Sequence, residues 1–366
     1  MKRPKISVVV PMYNDAPFLP ACLDSLLGQT MGDLEIIAVD DASTDGTAEI
    51  AAGYAERDSR VRLTRHAENA NSFQTRLTGL EQATGEFVFC SDADDVIPPG
   101  AFAQLLNKAE QSGADIVHGR MDYLSGTETR GIAHFFEPFR VGTGRDFVLS
   151  MLRNARGWSV VNKLFSRRTV ERALPAFPRG RHWFSLDDLL ASCLLGLHAE
   201  GYAALNEVTY LYRIPPVTHS TRAGGFEKWA NDTLGIMTFF EEAVAANRGE
   251  GPLLEGVRGY MRDCMTGLLA EASQSPEAFA AVSAKIRATA LPPHVRWAED
   301  RGLFDIGSAK RKGKTGLAGR LRPSLQRARD RGLRETYLRL LIKLRARRME
   351  REYKAARSAP RVEETT

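Results

Sequence analysis

The sequence predicts an α/β fold: a mostly parallel central sheet flanked by helices, with a mainly helical C-terminal extension. Three observations point there. Over the first 120 residues, short apolar runs alternate with segments of helical periodicity, the pattern of βαβ units. The runs are largely apolar along their length, as in a sheet covered on both faces. Past Phe226 the apolar spacing becomes helical almost without a break.

The elements follow in order. Residues 6–10 (ISVVV) form the first expected strand, with Pro11 ending it. Residues 18–27 have helical spacing. Residues 35–39 are a second strand closed by Asp40-Asp41, and Ser43–Thr47 leads into a helix through about Arg57. Residues 61–63 are a third strand, 72–83 a helix closed by Gly85, 86–90 a fourth strand, 98–112 a helix and 115–118 a fifth strand. Residues 119–144 read as loops and edge strands. A helix at 145–153, a short strand at 160–165, a helix at 186–197 and a β segment at 203–213 follow. No internal repeat is present.

The 366 residues suit one large domain plus an extension, or two domains. The chain divides into an α/β domain at 1–222 (halves 1–120 and 121–222), a helical region at 223–306, and a basic linker with an amphipathic helical tail at 307–366. The net charge of +5 hides an asymmetry: residues 308–357 carry 18 Lys/Arg and 4 Asp/Glu, a local +14, leaving the remainder near −9. Leu333, Tyr337, Leu340, Leu341 and Leu344 fall on one helical face among arginines. Such a helix fits an anionic membrane surface, or packs on its own body or a second subunit. No nucleic-acid recognition motif accompanies the charge.

Cys22, Cys90, Cys193 and Cys264 form no CxxC pair, so zinc and redox motifs are unsupported and reduced thiols are expected. No run approaches the roughly 20 apolar residues that span a bilayer. The opening MKRPKISVVVPMYND reads as a first buried strand rather than a signal peptide. The expected location is cytoplasmic, or peripheral on the inner face of the cell membrane.

Ligands of open α/β sheets bind outside the carboxyl ends of the strands. That rule brings residues 11–15, 40–45 and 92–95 to one rim. Asp92, Asp94 and Asp95 repel one another unless a cation sits among them. A hard divalent ion, Mn²⁺ or Mg²⁺, takes such oxygens and bridges to phosphates; the other reading is an acidic helix start ahead of Pro98-Pro99. Asp40 and Asp41 suit hydrogen bonds to ribose or base, or a turn and cap. Tyr13 can stack on a base or simply pack. Arg76 can face a phosphate or lie on a solvated helix face. Asp187 and Asp188, beside Trp183-Phe184, offer a base for a hydroxyl nucleophile or an acidic helix start. Arg213 and His219 can grip a diphosphate or belong to a structural loop.

These residues stand in a recognisable pattern. VVVPMYND, LDSLLGQT, LEIIAVDDASTDGT and GLEQATGEFVFCSDADD closely resemble the family-2 glycosyltransferases, strongly over residues 4–120 and more weakly to about 221. The resemblance implies a GT-A fold (Rossmann-like), a nucleoside-diphosphate-sugar donor, uridine-linked by family default, and inversion at the anomeric carbon. SDADD is similar to the DxD element, which carries donor and metal contacts to Asp92 and Asp94, with Asp95 an alternate ligand. By the same match Pro11, Tyr13, Asp41 and Arg76 are nucleotide-sugar contacts. Asp188 is the catalytic base, and Asp187, Trp183, Arg213 and His219 lie on the acceptor or diphosphate side. LYRIPPVTHST and GWSVVNKLFSRR resemble segments near the base. The chain departs from the pattern at Leu77, where many relatives have Asn, at a missing glycine in ENANSFQTRLTGL, and at Asp187, where Glu is usual.

The expectation is therefore a metal-dependent hexosyltransferase acting on a glycan or lipid-linked acceptor in bacterial cell-envelope polysaccharide or glycolipid synthesis. Two other readings stand beside it. A nucleotidyltransferase would share the nucleotide and metal, but PMYNDAPF is not a Gly-rich basic phosphate loop. A catalytically silent scaffold would not need Asp92, Asp94 and Asp188 together.

Overall fold

The computed structural model describes residues 3–125, 128–131, 142–154, 159–183, 186–213, 225–246, 251–272, 276–290, 292–300 and 303. His219, Phe184, the linker and the basic tail lie outside them, as does the expected boundary at 222/223. The strands are β1 (Ile6–Met12), β2 (Leu34–Asp40), β3 (Val61–Arg65), β4 (Phe87–Cys90), β5 (Ile116–Ser125), β6 (Glu128–Gly131), β7 (Lys163–Ser166) and β8 (Tyr202–Arg213). The helices are α1 (Leu19–Leu27), α2 (Thr47–Arg57), α3 (Ser72–Gln82), α4 (Ala101–Ser112), α5 (Gly144–Asn154), α6 (Arg167–Ala173), α7 (Asp187–Leu197), α8 (Gly225–Ala246), α9 (Pro252–Ala272), α10 (Pro276–Thr289) and α11 (Pro292–Glu299).

The strands form one sheet in the order β3-β2-β1-β4-β7-β5-β6, with β8 pairing β5. β1 to β4 are mutually parallel. β7 inserts antiparallel between β4 and β5, and β8 runs parallel to β5. Successive residues of the central strands enter different cores: Val9, Ile37, Val39 and Val88 one, and Val8, Val10, Ile36, Ala38 and Phe89 the other. Both faces are thus covered, which is why these strands are largely apolar along their length. Helices α8 and α9 supply Leu234, Met237, Phe240, Val257 and Met261 to the first core, so the helical extension packs on the sheet's own cluster.

Among the boundaries that differ from the sequence reading, three have a clear local reason. Pro11 stays within β1, paired with Val39 of β2. Its missing N–H points to the β4 side, where the pairing has ended at Val9–Cys90, so no ladder bond is lost. The strand expected at 160–165 begins only at Lys163, because Asn162 has a positive φ of 61° and turns the chain. β5 runs on to Ser125, since β8 pairs with it as far as Leu124–Arg213.

Candidate active site

The rim begins where β1 and β2 end. Asn14 takes a left-handed conformation, its N–H donating to Ser43 Oγ at 3.0 Å and its Oδ1 accepting from Thr44 N–H at 2.9 Å. These bonds tie the two strand ends and leave Tyr13 43% exposed beside Pro11. Asp41 is buried. Its Oδ1 accepts from Ala70 N–H and lies near His66 Nδ1, both at 2.8 Å, while Oδ2 accepts from Asn71 N–H at 2.9 Å. Asp41 thus holds the loop that starts α3.

Helix α3 joins the two halves of the site. Gly79 is the close-approach point: a Cβ there would lie 2.3 Å from Val9 Cγ1, so α3 lies directly on β1. At its start Asn71 caps the helix, its Oδ1 accepting from Phe73 N–H and Gln74 N–H. Ser72 Oγ donates to Asp187 Oδ2 at 2.7 Å. Arg76, only 4% exposed, reaches three carboxylates: Asp92 Oδ1 at 3.1 Å, Asp188 Oδ1 at 3.0 Å and Asp187 Oδ2 at 3.8 Å. Burial opposes its charge, but Asp188, Asp92 and Asp187 outweigh that and raise its pKa above the ordinary range. Segments distant in sequence therefore meet around one guanidinium.

The loop of Asp92, Asp94 and Asp95 is held from β8. Arg213 Nε donates to the Asp94 carbonyl at 2.7 Å, and its guanidinium sits 5.6 Å over the Phe18 ring. Both oxygens of the buried Asp95 accept hydrogen bonds, Oδ2 from Tyr210 Oη at 2.6 Å and Oδ1 from Arg213 N–H at 2.7 Å. Carboxylate oxygens of Asp92, Asp94 and Asp95 lie within 4.8 Å of one another. Burial, with Asp188, Asp94 and Asp187 adding repulsion, pushes the Asp92 carboxyl upward against the pull of Arg76; burial and then Asp94 and Asp92 push Asp95 well up. Asp15, desolvated and facing Asp94 and Asp45, is pushed up to about 7 although Tyr13 N–H donates to it. A surplus of hard, mutually repelling oxygens fits a divalent cation. Both oxygens of Asp95 are already occupied by the bonds from Tyr210 and Arg213.

Backbone strain marks the same place. The non-glycine residues with positive φ among those described are Asn14, Ala42, Asn71, Asn162 and Leu186. They flank the rim, the start of α3, the turn beneath Asp188 and the start of α7. Such conformations persist where surrounding structure over-determines them, commonly at functional sites. Leu186, at φ 60°, places Asp187 and Asp188 on the first turn of α7.

The sequence of this chain matches the model of glycosyl transferase family 2 over residues 7–167. It is 31% identical over 221 residues to the glycosyltransferase GlyG of Streptococcus pneumoniae, a match covering 57% of this chain and 70% of GlyG. The chain belongs to glycosyltransferase family 2. A second relative is the uncharacterized glycosyltransferase EpsJ of Bacillus subtilis, 34% identical over 217 residues; the match covers 58% of this chain and 62% of EpsJ, under two thirds of that relative. The crystal structure of S. aureus TarS 1-349 with UDP-GlcNAc aligns over 84% of this chain and 92% of that 1-349 chain, with a TM-score of 0.55 at 20% identity. That likeness shows the GT-A fold.

The structure gathers Asp92, Asp94, Arg76, Asp187 and Asp188 into one cluster, while Pro11 and Tyr13 lie at the end of β1 and Asp41 just past β2. Trp183 is buried, its indole edge-on to Phe73 at 6.3 Å and tilted against Phe239 at 6.0 Å. Residues the sequence reading passed over are Asn71, Ser72, Ser159 and Tyr210. Asn71-Ser72 at the head of a helical pattern was a legible cap signal. Nothing in the pattern told that Ser159 Oγ would donate to Asp188 Oδ2 at 3.2 Å.

Proposed function

We propose that this chain is an inverting glycosyltransferase that moves a sugar from a nucleoside-diphosphate sugar to a hydroxyl of a glycan or lipid-linked acceptor, in cell-surface polysaccharide or glycolipid synthesis. The observation that carries the reading is the Arg76 bridge, which holds Asp92 of the DxD loop and Asp188 of α7 on one guanidinium. A leaving-group site and a base for the incoming hydroxyl are thereby set side by side. TarS, whose fold this chain shares, was crystallised with UDP-GlcNAc, which supports a uridine-linked donor.

Pro11 and Tyr13 border the nucleobase, and Asp41 acts at the nucleotide edge, where it holds the 66–71 segment. Asp92 and Asp94 would hold Mn²⁺ or Mg²⁺. That ion supplies positive charge against the charge growing on the departing diphosphate. Asp188 accepts the proton of the acceptor hydroxyl as its oxygen attacks the anomeric carbon. The bond from that carbon to the diphosphate oxygen breaks on the opposite face, so configuration inverts through an oxocarbenium-like transition state. Asp187, held by Ser72 Oγ, flanks the acceptor side.

Thermal unfolding with a panel of UDP-, GDP- and dTDP-sugars, with and without Mn²⁺, tests the reading. A donor that binds the native state raises the midpoint by mass action. The expected result is a rise with at least one nucleotide sugar that is lost when Mn²⁺ is withheld. No rise with any donor overturns the proposal.

A further inference from the structure

We propose that Ser159 and Lys163 form a brace that positions the Asp188 carboxylate, making the SVVNK segment part of the base's machinery. This deepens the role proposed above for Asp188. Lys163 opens β7 between β4 and β5 and is 1% exposed. An uncompensated buried ammonium costs several kcal/mol, and an apolar side chain would fill the same space without that cost. Its charge therefore needs a reason beyond packing.

The hydrogen bonds supply one. Lys163 Nζ donates to the carbonyl of Ser159 and to that of Val161 at 3.4 Å, folding the turn back on itself. Ser159 Oγ accepts from Val161 N–H at 3.4 Å and donates to Asp188 Oδ2 at 3.2 Å. The turn is anchored from behind by Asn162, whose Nδ2 donates to Gly119 O at 2.7 Å and whose Oδ1 accepts from Thr209 Oγ1 at 2.5 Å. Asp188 Oδ1 faces Arg76 at 3.0 Å, so both oxygens are held. A base whose second-layer partners fix its orientation meets the incoming hydroxyl without reorganising. Burial pulls the ammonium down to about 7, against Asp188 on α7 and Cys90 on β4; His118 on β5, pushed well down by burial and by Lys163, is the other ionisable neighbour.

The test uses the full chain and the variants Ser159→Ala, Ser159→Thr, Lys163→Met and Asp188→Asn. The Lys163 ε-methylene NMR signal, assigned by its loss in Lys163→Met, is followed against pH. Its midpoint lies near 7 in the native chain and moves down in Asp188→Asn, because the lysine loses the carboxylate that raises it. An unchanged midpoint overturns the pairing. Nucleotide release is measured with the best donor of the panel above. Ser159→Ala lowers turnover about tenfold, the worth of one hydrogen bond to a charged group. Ser159→Thr restores it, and the stabilisation by UDP with Mn²⁺ is unchanged in both. Native turnover in Ser159→Ala, or equal loss in both serine variants, overturns the brace. If no nucleotide stabilises the native chain, the glycosyl-transfer reading fails, while the lysine titration still decides whether Lys163 and Asp188 are coupled.

Discussion

Arg76 serves three carboxylates with one buried guanidinium, and removing it leaves them facing one another without a counter-ion. Arg76→Met is expected to lower unfolding stability in urea by about 3–5 kcal/mol, the usual cost of breaking a buried ion pair from one side. Adding Asp188→Asn should return part of that loss, since one of the repelling charges is gone; a double variant no more stable than the single would contradict the shared-counterion picture. Asp188→Asn by itself should leave stabilisation by nucleotide and Mn²⁺ intact while slowing transfer by about 10²–10⁴-fold, the range for a lost general base. Transfer at the native rate would remove Asp188 from its assigned role.

At the scale of elements, Asp115 shows how carboxylates far from the cleft tie the frame together. It precedes β5 and is buried, yet Ser166 Oγ, Arg168 Nη2 and the N–H of Glu200 all donate to it, at 2.7, 3.0 and 2.8 Å. Burial would raise its pKa, but the bonds from Ser166, Glu200 and Arg168 overcome that and hold it below the ordinary 3.8. A lowered folded pKa gives stability that is present above 3.8 and lost as the pH falls through the folded value. The native chain should therefore lose more stability between pH 5 and pH 2 than Asp115→Asn does, read as urea midpoints; equal slopes would contradict this. Elements also show where sequence reading succeeds. The strands of β1 and β2 were legible because both faces are buried and most of their residues are apolar. The turn before β7 was not, because a left-handed Asn162 looks like any asparagine until Gly119 and Thr209 lie beside it.

The whole molecule combines an acidic body with a basic end: residues 308–357 carry 18 Lys/Arg against 4 Asp/Glu. No helix among the described residues is long and apolar enough to cross a membrane. Contact with an acceptor at a lipid surface would then rest on the charge of residues 308–357 and the helical spacing of apolar residues read there from the sequence. Co-sedimentation with vesicles containing phosphatidylserine should fall sharply on deleting residues 308–366 and on raising salt, as charge attraction to an anionic surface requires. Equal partitioning of both forms would count against membrane contact.

The sequence by itself determined the α/β class and the strand ends that carry acidic residues, and it offered Asp92, Asp94 and Asp188 as candidates, because periodicity and short motifs are local. Only the tertiary structure decided that β7 enters antiparallel between β4 and β5 and that Asp95 is consumed by Tyr210 and Arg213. It alone showed that Arg76, 16 residues from Asp92, is the counter-ion shared with α7. Those facts depend on which side chains share a volume of low dielectric, and that is set by packing between distant segments, which no local pattern records.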